Sequence, residues 1–325
     1  MPLRLLLSAL LCLLPLAAAA NDSSARLEAG GLRLIEEKDI VMEREDLYIS
    51  RKQVHVEYLF RNTAAADKTI VVAFPLPLVK TAELYDSSVG VQSQNPVNFV
   101  DFKVWADGKQ IMPKQDVRAW LNGKDITALL LRHRIPPSVF DPKFYDSMRN
   151  LPPASLQALK AAGAIGPDST AQEAYPRWSY QVGYYWSQTF PAGRPVKFVH
   201  TYKPVVGTSV GMVDYMLSEP KEMSRVAQDY CMDLPFQNRL RAMQAAKPGQ
   251  GVIMSHELGY ILTTAKNWRG PIGSFRLIID AGENEIMSTC VPGLEQTGPR
   301  RWSVQQQNYR PERDITIFYA SSPES

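Results

Sequence analysis

The chain has 325 residues, 45% of them hydrophobic, with 36 basic and 33 acidic residues and a formal net charge of +3. That length fits one large or two ordinary domains with a core that needs no cross-links. The basic residues are dispersed, which excludes the concentrated positive face of a nucleic-acid binder.

Residues 2–20, PLRLLLSALLCLLPLAAAA, open with Arg4, run apolar and end in Ala18-Ala19-Ala20 before polar Asn21. This is the pattern of a secretory signal peptide cleaved after Ala20, not of a membrane span. Cys12 follows a lipoprotein-like Leu-x-x spacing, but Leu11 is too bulky for the small residue such a site needs. No later apolar run approaches the roughly 20 residues of a spanning helix, so the mature chain is expected to be soluble and without a transmembrane segment. Two cysteines then remain, Cys231 and Cys290. In an oxidising compartment they are expected to form one disulfide, closing a loop of about 60 residues worth roughly 4 kcal/mol on the chain-entropy model. The alternative, a thiol nucleophile, would have to use His256.

In the mature chain, Asn21–Leu32 is small, polar and broken at Gly30-Gly31, a turn without phosphate-loop spacing. Strands are expected around Leu32–Glu36 and Ile40–Ile49. In Val54–Arg61, Val54, Val56, Tyr58 and Phe60 alternate with polar residues, the period of a strand buried on one face. After a polar turn, Thr69–Phe74 returns as its antiparallel partner and stops at Pro75 and Pro77. Phe99–Trp105 alternates into an Asp107-Gly108 hairpin turn, with a return strand beginning at Ile111-Met112.

Lys124–Gly166 loses the alternation and reads helical. Asp125 or Thr127 caps a first helix, Pro136-Pro137 breaks it, and Pro153–Ala162 ends before Gly163. Strands resume at Trp178–Val182 and continue through Tyr184-Tyr185-Trp186 to Phe190. After the Pro191-Ala192-Gly193 turn, Val196, Phe198, His200 and Tyr202 share a face. Leu234–Ala246 reads as a helix with Phe236, Leu240 and Met243 inward. Tyr260–Thr264, Phe275–Asp280 and Ile315–Tyr319 read as the last strands. The divisions are therefore 1–20 signal peptide, 21–115 N-terminal β-sandwich region, 116–175 helical insertion and linker, and 176–325 second β-rich region.

NDSSARLEAGGL, YISRKQVHVEYLFRN with VAFPLP, YYWSQTFPAG and LTTAKNWRGPIGSFRL occur here in that order. Through them essentially the whole mature chain resembles an exported bacterial family known as domain of unknown function forty-four twenty-four. The resemblance implies a periplasmic location and brings no established activity. The strand pair ending in FPLP with the Asp107-Gly108 hairpin is also similar, over roughly the first hundred mature residues, to the vault/inter-alpha-trypsin β-sandwich module. Neither resemblance supplies a catalytic or ligand-binding residue.

Gly207-Thr208-Ser209-Val210-Gly211 matches the G-x-S-x-G nucleophile elbow, and Asp214 (or Asp229) and His256 follow in hydrolase order. That elbow needs a parallel βαβ context, which the pattern here lacks. Ser218-Glu219-Pro220-Lys221 matches S-x-x-K without its companion motifs. The histidines His55, His133, His200 and His256 are isolated, with no metal-ligand spacing, and His200 reads as a hydrogen-bonded core histidine. The aromatics Trp178, Tyr184, Tyr185 and Trp186, with loop residue Trp268, are the candidate binding residues for stacking on sugar rings; the competing reading is a sandwich core. The sequence thus describes a mainly-β antiparallel β-sandwich protein with a helical insertion, α+β overall, in the periplasm. No catalytic set is coherent, and no cofactor or metal is implied. The expected role is a binding or interaction module for envelope glycan or a partner protein. The alternatives are a serine hydrolase using Ser209 and an envelope assembly or structural factor.

Overall fold

A computed structural model of the chain describes residues 22–28, 31–81, 98–246 and 252–322. The segment read from the sequence as a signal peptide, residues 1–20, lies outside the described residues. The first ten strands are β1 (Ser23–Glu28), β2 (Gly31–Leu34), β3 (Ile40–Ser50), β4 (Val54–Asn62), β5 (Lys68–Pro75), β6 (Val79–Lys80), β7 (Lys103–Ala106), β8 (Lys109–Ile111), β9 (Lys114–Leu121) and β10 (Lys124–Asp125). The rest are β11 (Ser179–Phe190), β12 (Pro195–Tyr202), β13 (Gly207–Val210), β14 (Met254–Tyr260), β15 (Ile272–Asp280), β16 (Glu285–Thr289), β17 (Glu295–Gly298), β18 (Arg301–Tyr309) and β19 (Ile315–Ser321).

These strands form three sheets, so the chain is mainly β. The first runs β10-β9-β11-β5-β1-β2 with β6 also on β11, the second β17-β18-β15-β3-β4-β12-β7-β8, and the third β13-β14-β19-β16. Strands from both sides of the helical stretch share the two large sheets. The pairing is antiparallel except for β3 and β15, which run parallel. There Gly273 is required: a Cβ would stand 2.6 Å from the carbonyl oxygen of Glu43, at the register shift of β3 between Met42 and Arg44.

The apolar periodicity of β4 is as expected, with Val54, Val56, Tyr58 and Phe60 buried. Its expected hairpin with β5 does not form. β4 pairs with β3 and β12, whereas β5 pairs with β1 and β11 in the other sheet. The turn crosses between sheets, and β11 to β12 crosses back at the same place. Fully buried Asn62 joins both crossings. Its Nδ2 donates to the carbonyls of Ala66 and Phe190, both at 2.9 Å. Its Oδ1 accepts from the Ala64 N–H, and its own carbonyl accepts from Gly193 N–H at 3.0 Å. Between the sheets lies a layer of rings: Phe74 from β5 stacks on Phe102, which stacks on Tyr184 of β11, and Trp186 meets Phe198 of β12.

The Asp107-Gly108 turn forms as read, with both residues at positive φ between β7 and β8. The region 124–166 holds helices Thr127–Arg132, Phe144–Met148 and Pro153–Ala161. Asn21–Leu32 reads as small, polar and glycine-broken with no strand assigned before Leu32; β1 lies there and pairs with β2. Tyr260 ends β14 rather than beginning a strand, and Thr263–Asn267 is a 3-10 turn, because Asp314 Oδ1 takes the N–H groups of Leu262 and Thr263 out of any ladder. Helices Met212–Ser218, Pro220–Asp229 and Leu234–Ala245 cover one face of the third sheet. Their Val213, Met216, Val226, Phe236 and Leu240 pack on Ile253, Phe318 and Ala320. The sheet's other face, including Leu258, Tyr260, Ile317 and Tyr319, joins the main core. Cys231 and Cys290 form the disulfide, tying the end of Pro220–Asp229 to the end of β16.

Replacing Asn62 by alanine strands buried groups on both crossings, each worth about 1–3 kcal/mol. Urea unfolding of Asn62→Ala is expected to show a loss of about 3 kcal/mol with an unchanged denaturant slope.

Candidate functional site

Four of the five aromatic candidates are core residues. Trp178, Tyr184, Trp186 and Trp268 are at most 5% exposed, and Tyr185 on the opposite face of β11 is half-buried. The Trp178 indole N–H donates to the Pro137 carbonyl, the Trp268 indole N–H to the Asp22 carbonyl at 2.7 Å, and Tyr184 Oη to Asn98. Stacking on a sugar needs an open ring face, and these faces meet other rings. Strand alternation was read correctly, but both sheets bury the face that carries Tyr184 and Trp186.

Ser209 lies in β13, followed by Gly211 at φ +79 and a helix beginning at Met212. This strand-to-helix corner belongs to an antiparallel sheet. Ser209 pairs with Ser255, and Thr208 pairs with His256, so alternation puts Ser209 and His256 on opposite faces. His256 bonds instead to Thr208 Oγ1 through Nδ1 and to Ser321 Oγ through Nε2, both at 3.0 Å. Asp214 accepts from Gln244 on the helical side. Ser209 has an ordinary φ, unlike the strained nucleophile of an elbow. The three residues of the expected triad are not brought together.

His200 is fully buried and ringed by Tyr58, Phe74, Phe102 and Trp186. Burial holds its pKa down at about 3, so the imidazole is neutral. Its Nε2 is 3.4 Å from Asp22 Oδ2, and burial together with nearby Glu45 pushes the Asp22 carboxyl well above the usual range. Burial disfavours the charged form of both partners, so the 3.4 Å contact stands against a desolvation cost on each side. Among the described residues no three of His, Cys, Asp and Glu gather as a metal site.

The structure does form a cleft, of about 510 Å³, where the large sheets meet the third one. One wall is Leu76–Lys80, the segment after β5. Pro75 and Pro77 end the ladder there, and Leu76 is held to β11 through the Val182 carbonyl and the Gln181 side chain. Phe99 and Val100 form the floor with Tyr202, and Pro204 and Val205 lead from β12 into β13. Leu258 and Gly259 of β14 supply the far wall, with Tyr230 and exposed Glu257. Burial, and after it the nearby Glu257 carboxylate, push the Tyr230 hydroxyl up. The disulfide at Cys231 and the Ser288 bond to the Tyr230 carbonyl fix that residue. An apolar cavity with a few convergent polar groups is the form of a ligand site. Sequence reasoning missed Glu257 and Tyr230 because the lining is scattered from Leu76 to Thr316, without local spacing to mark it.

The model of a family described as "Domain of unknown function (DUF4424)" matches residues 20–318. No curated protein matches the chain. Among solved structures, a protein of Legionella pneumophila described as a "putative nutrient binding protein" is similar at 14% identity and a TM-score of 0.46, over 93% of this chain and 70% of its own. A likeness at that level says nothing about what this chain holds.

Burial and nearby Arg51 hold the His256 pKa down at about 4. The unfolded ring takes a proton near pH 6.5 and the folded one does not, so stability from this residue is present above pH 6.5 and lost as pH falls towards 4. His200 acts in the same sense, and Asp22, with its raised pKa, opposes them. His256→Gln is expected to flatten the acid limb by up to one proton, about 1.4 kcal/mol per pH unit, in urea midpoints compared between pH 7 and 4.5.

Proposed function

We propose that this chain, which belongs to the family described as a domain of unknown function, DUF4424, is a non-catalytic binding module exported to the periplasm. In this reading it holds an apolar segment of a partner protein in the cleft between Leu76–Lys80 and Leu258. The observation that carries the reading is the cleft itself: a lining of Leu76, Pro77, Leu78, Val79, Phe99 and Val205 with a Tyr230–Glu257 polar pair on its wall. Apolar side chains entering it would leave water at about 25 cal/mol per Å² buried. The Glu257 carboxylate would accept a hydrogen bond from a main-chain N–H or an ammonium of the occupant.

Envelope glycan is the weaker candidate. Sugar recognition uses exposed aromatic planes and many polar groups, and four of the five aromatic residues that suggested it are buried. The hydrolase alternative has its serine and histidine on opposite faces of a sheet. An assembly or structural role is compatible with the same cleft, because the occupant is again a protein segment.

The test uses the neutral apolar dye Nile red and two substitutions at the cleft, Leu78→Asp and Val205→Asp. Leu78 is already 38% exposed, so the charge should leave the fold intact. Dye affinity is expected to fall at least tenfold in each variant, and a fluorophosphonate probe is expected to leave Ser209 unlabelled. Unchanged dye affinity in both variants would remove the cleft from consideration, and labelling of Ser209 would restore the hydrolase.

A further inference from the structure

The disulfide lies directly behind one wall of the cleft. Helix Pro220–Asp229 is capped by Tyr230, which lines the cleft, and Cys231 is the next residue. Met232 N–H donates to the Ala227 carbonyl at 2.9 Å. This is the long hydrogen bond of a Schellman stop, in which the residue after the cap turns left-handed and is usually glycine. Here that residue is Cys231, at φ +52. A side chain enters this region at a steric cost that glycine does not meet.

The cross-link to Cys290, one residue past β16, limits where Cys231 can go. Cys290 Sγ stands 3.7 Å from the Asp229 carbonyl oxygen and 3.9 Å from that of Gln228, against the last turn of the helix. From β16 itself, Ser288 Oγ donates to the Tyr230 carbonyl at 3.0 Å. The Tyr230 ring lies on Phe318 of β19, with centroids 5.5 Å apart. Helix stop, cross-link and strand thus meet at the residue that stands in the cleft wall beside Glu257 and Leu258. Cys231 is exposed and Cys290 half-buried, so an incoming thiolate can reach the Cys231 sulfur. An exposed disulfide on a strained backbone is of the exchangeable kind.

We propose that Cys231–Cys290 is a thiol–disulfide exchange site for a dithiol reductant, and that its redox state controls the cleft. The inference rests on the reading of the cleft as a binding site and deepens it by naming its regulation. A thiolate of the dithiol bonds to Cys231 Sγ, the Cys231–Cys290 bond breaks, and Cys290 leaves as a thiolate that takes a proton from solvent. The second thiol of the reductant, as its thiolate, then bonds to the first reductant sulfur and releases Cys231, which is protonated in turn. Two electrons pass to the protein, and the dithiol ends as a disulfide.

Freed of the tether, Cys231 leaves the left-handed region, the helix stop loosens, and Tyr230 moves out of the wall. The oxidised chain therefore holds an occupant of the cleft, and the reduced chain lets it go. The mechanism acts through one backbone conformation, which gives it a signature of its own. Glycine at position 231 keeps the left-handed turn without any cross-link, whereas serine, close to cysteine in size, does not.

The experiment measures Nile red affinity before and after dithiothreitol, with amide hydrogen exchange of the Tyr230–Asp233 segment as a readout that needs no dye. Dithiothreitol is expected to reduce the disulfide without denaturant, and dye affinity to fall about tenfold and return on reoxidation. Exchange in the segment is expected to become about tenfold faster in the reduced protein. The Cys231→Ser, Cys290→Ser double variant should bind as weakly as the reduced chain. The Cys231→Gly, Cys290→Ser variant should bind like the oxidised one and ignore the dithiol. A disulfide that resists reduction until urea unfolds the chain, equal affinity in both redox states, equal exchange, or equal binding by the serine and glycine variants would overturn the proposal. Failure of the oxidised protein to bind dye at all would instead sink the cleft reading and the control of binding with it, and the exchange readout tells the two failures apart.

Discussion

The side chain of Asn62 sits where the chain twice changes sheet, and the remaining architecture depends on that position. β4 and β5 are consecutive but belong to different sheets, as do β11 and β12. Buried peptide groups at such a corner need partners, and a single carboxamide serves three of them. Once both crossings are fixed, β5 and β11 lie over β4 and β12. The ring layer from Phe74 through Phe102 to Tyr184 closes between them. Packing then leaves little freedom for the loops at the other end, where Leu76–Lys80 and Phe99 define the cleft.

Much of this was legible because burial on one face imposes a period of two. β4, β11 and β12 announce themselves through Val54–Phe60, Tyr180–Phe190 and Val196–Tyr202, and Asp107-Gly108 dictates its turn by backbone conformation alone. Which strands pair was less legible. NTAAADK between β4 and β5 reads as a hairpin loop, and only the side-chain bonds of Asn62 distinguish a hairpin from a corner. The helices Met212–Ser218 and Pro220–Asp229 were missed because GTSVG and Pro220 drew attention to motifs and breaks. Pro220 opens a helix at a first-turn position, where proline is well tolerated.

The candidate sites differ in legibility for a physical reason. Aromatic clusters are visible in sequence, but the faces they use are set by layers that a sequence does not display. Trp268 was expected on an open loop, and its loop lies against Asp22. The cleft has the reverse character. Its residues come from six separate stretches and none is unusual by itself, so their convergence appears only in three dimensions. The two polar features of the molecule also divide cleanly: Tyr230 and Glu257 face a space open to ligand, whereas Asp22, Glu45 and His200 are sealed inside.

The parallel contact of β3 with β15 has a temporal side. Asp46 and Arg276, bonded across that seam, are 230 residues apart. A growing polypeptide makes β3 early and its neighbour near the end, so the middle of the second sheet stays open until most of the molecule exists. Distant partners of this kind slow folding, because loop closure must come before contact is rewarded. Until β15 arrives, the flank of β3 is an open ladder able to recruit any passing strand. That flank of β3 closes only when the segment from Ile272 onward is available to pair with it.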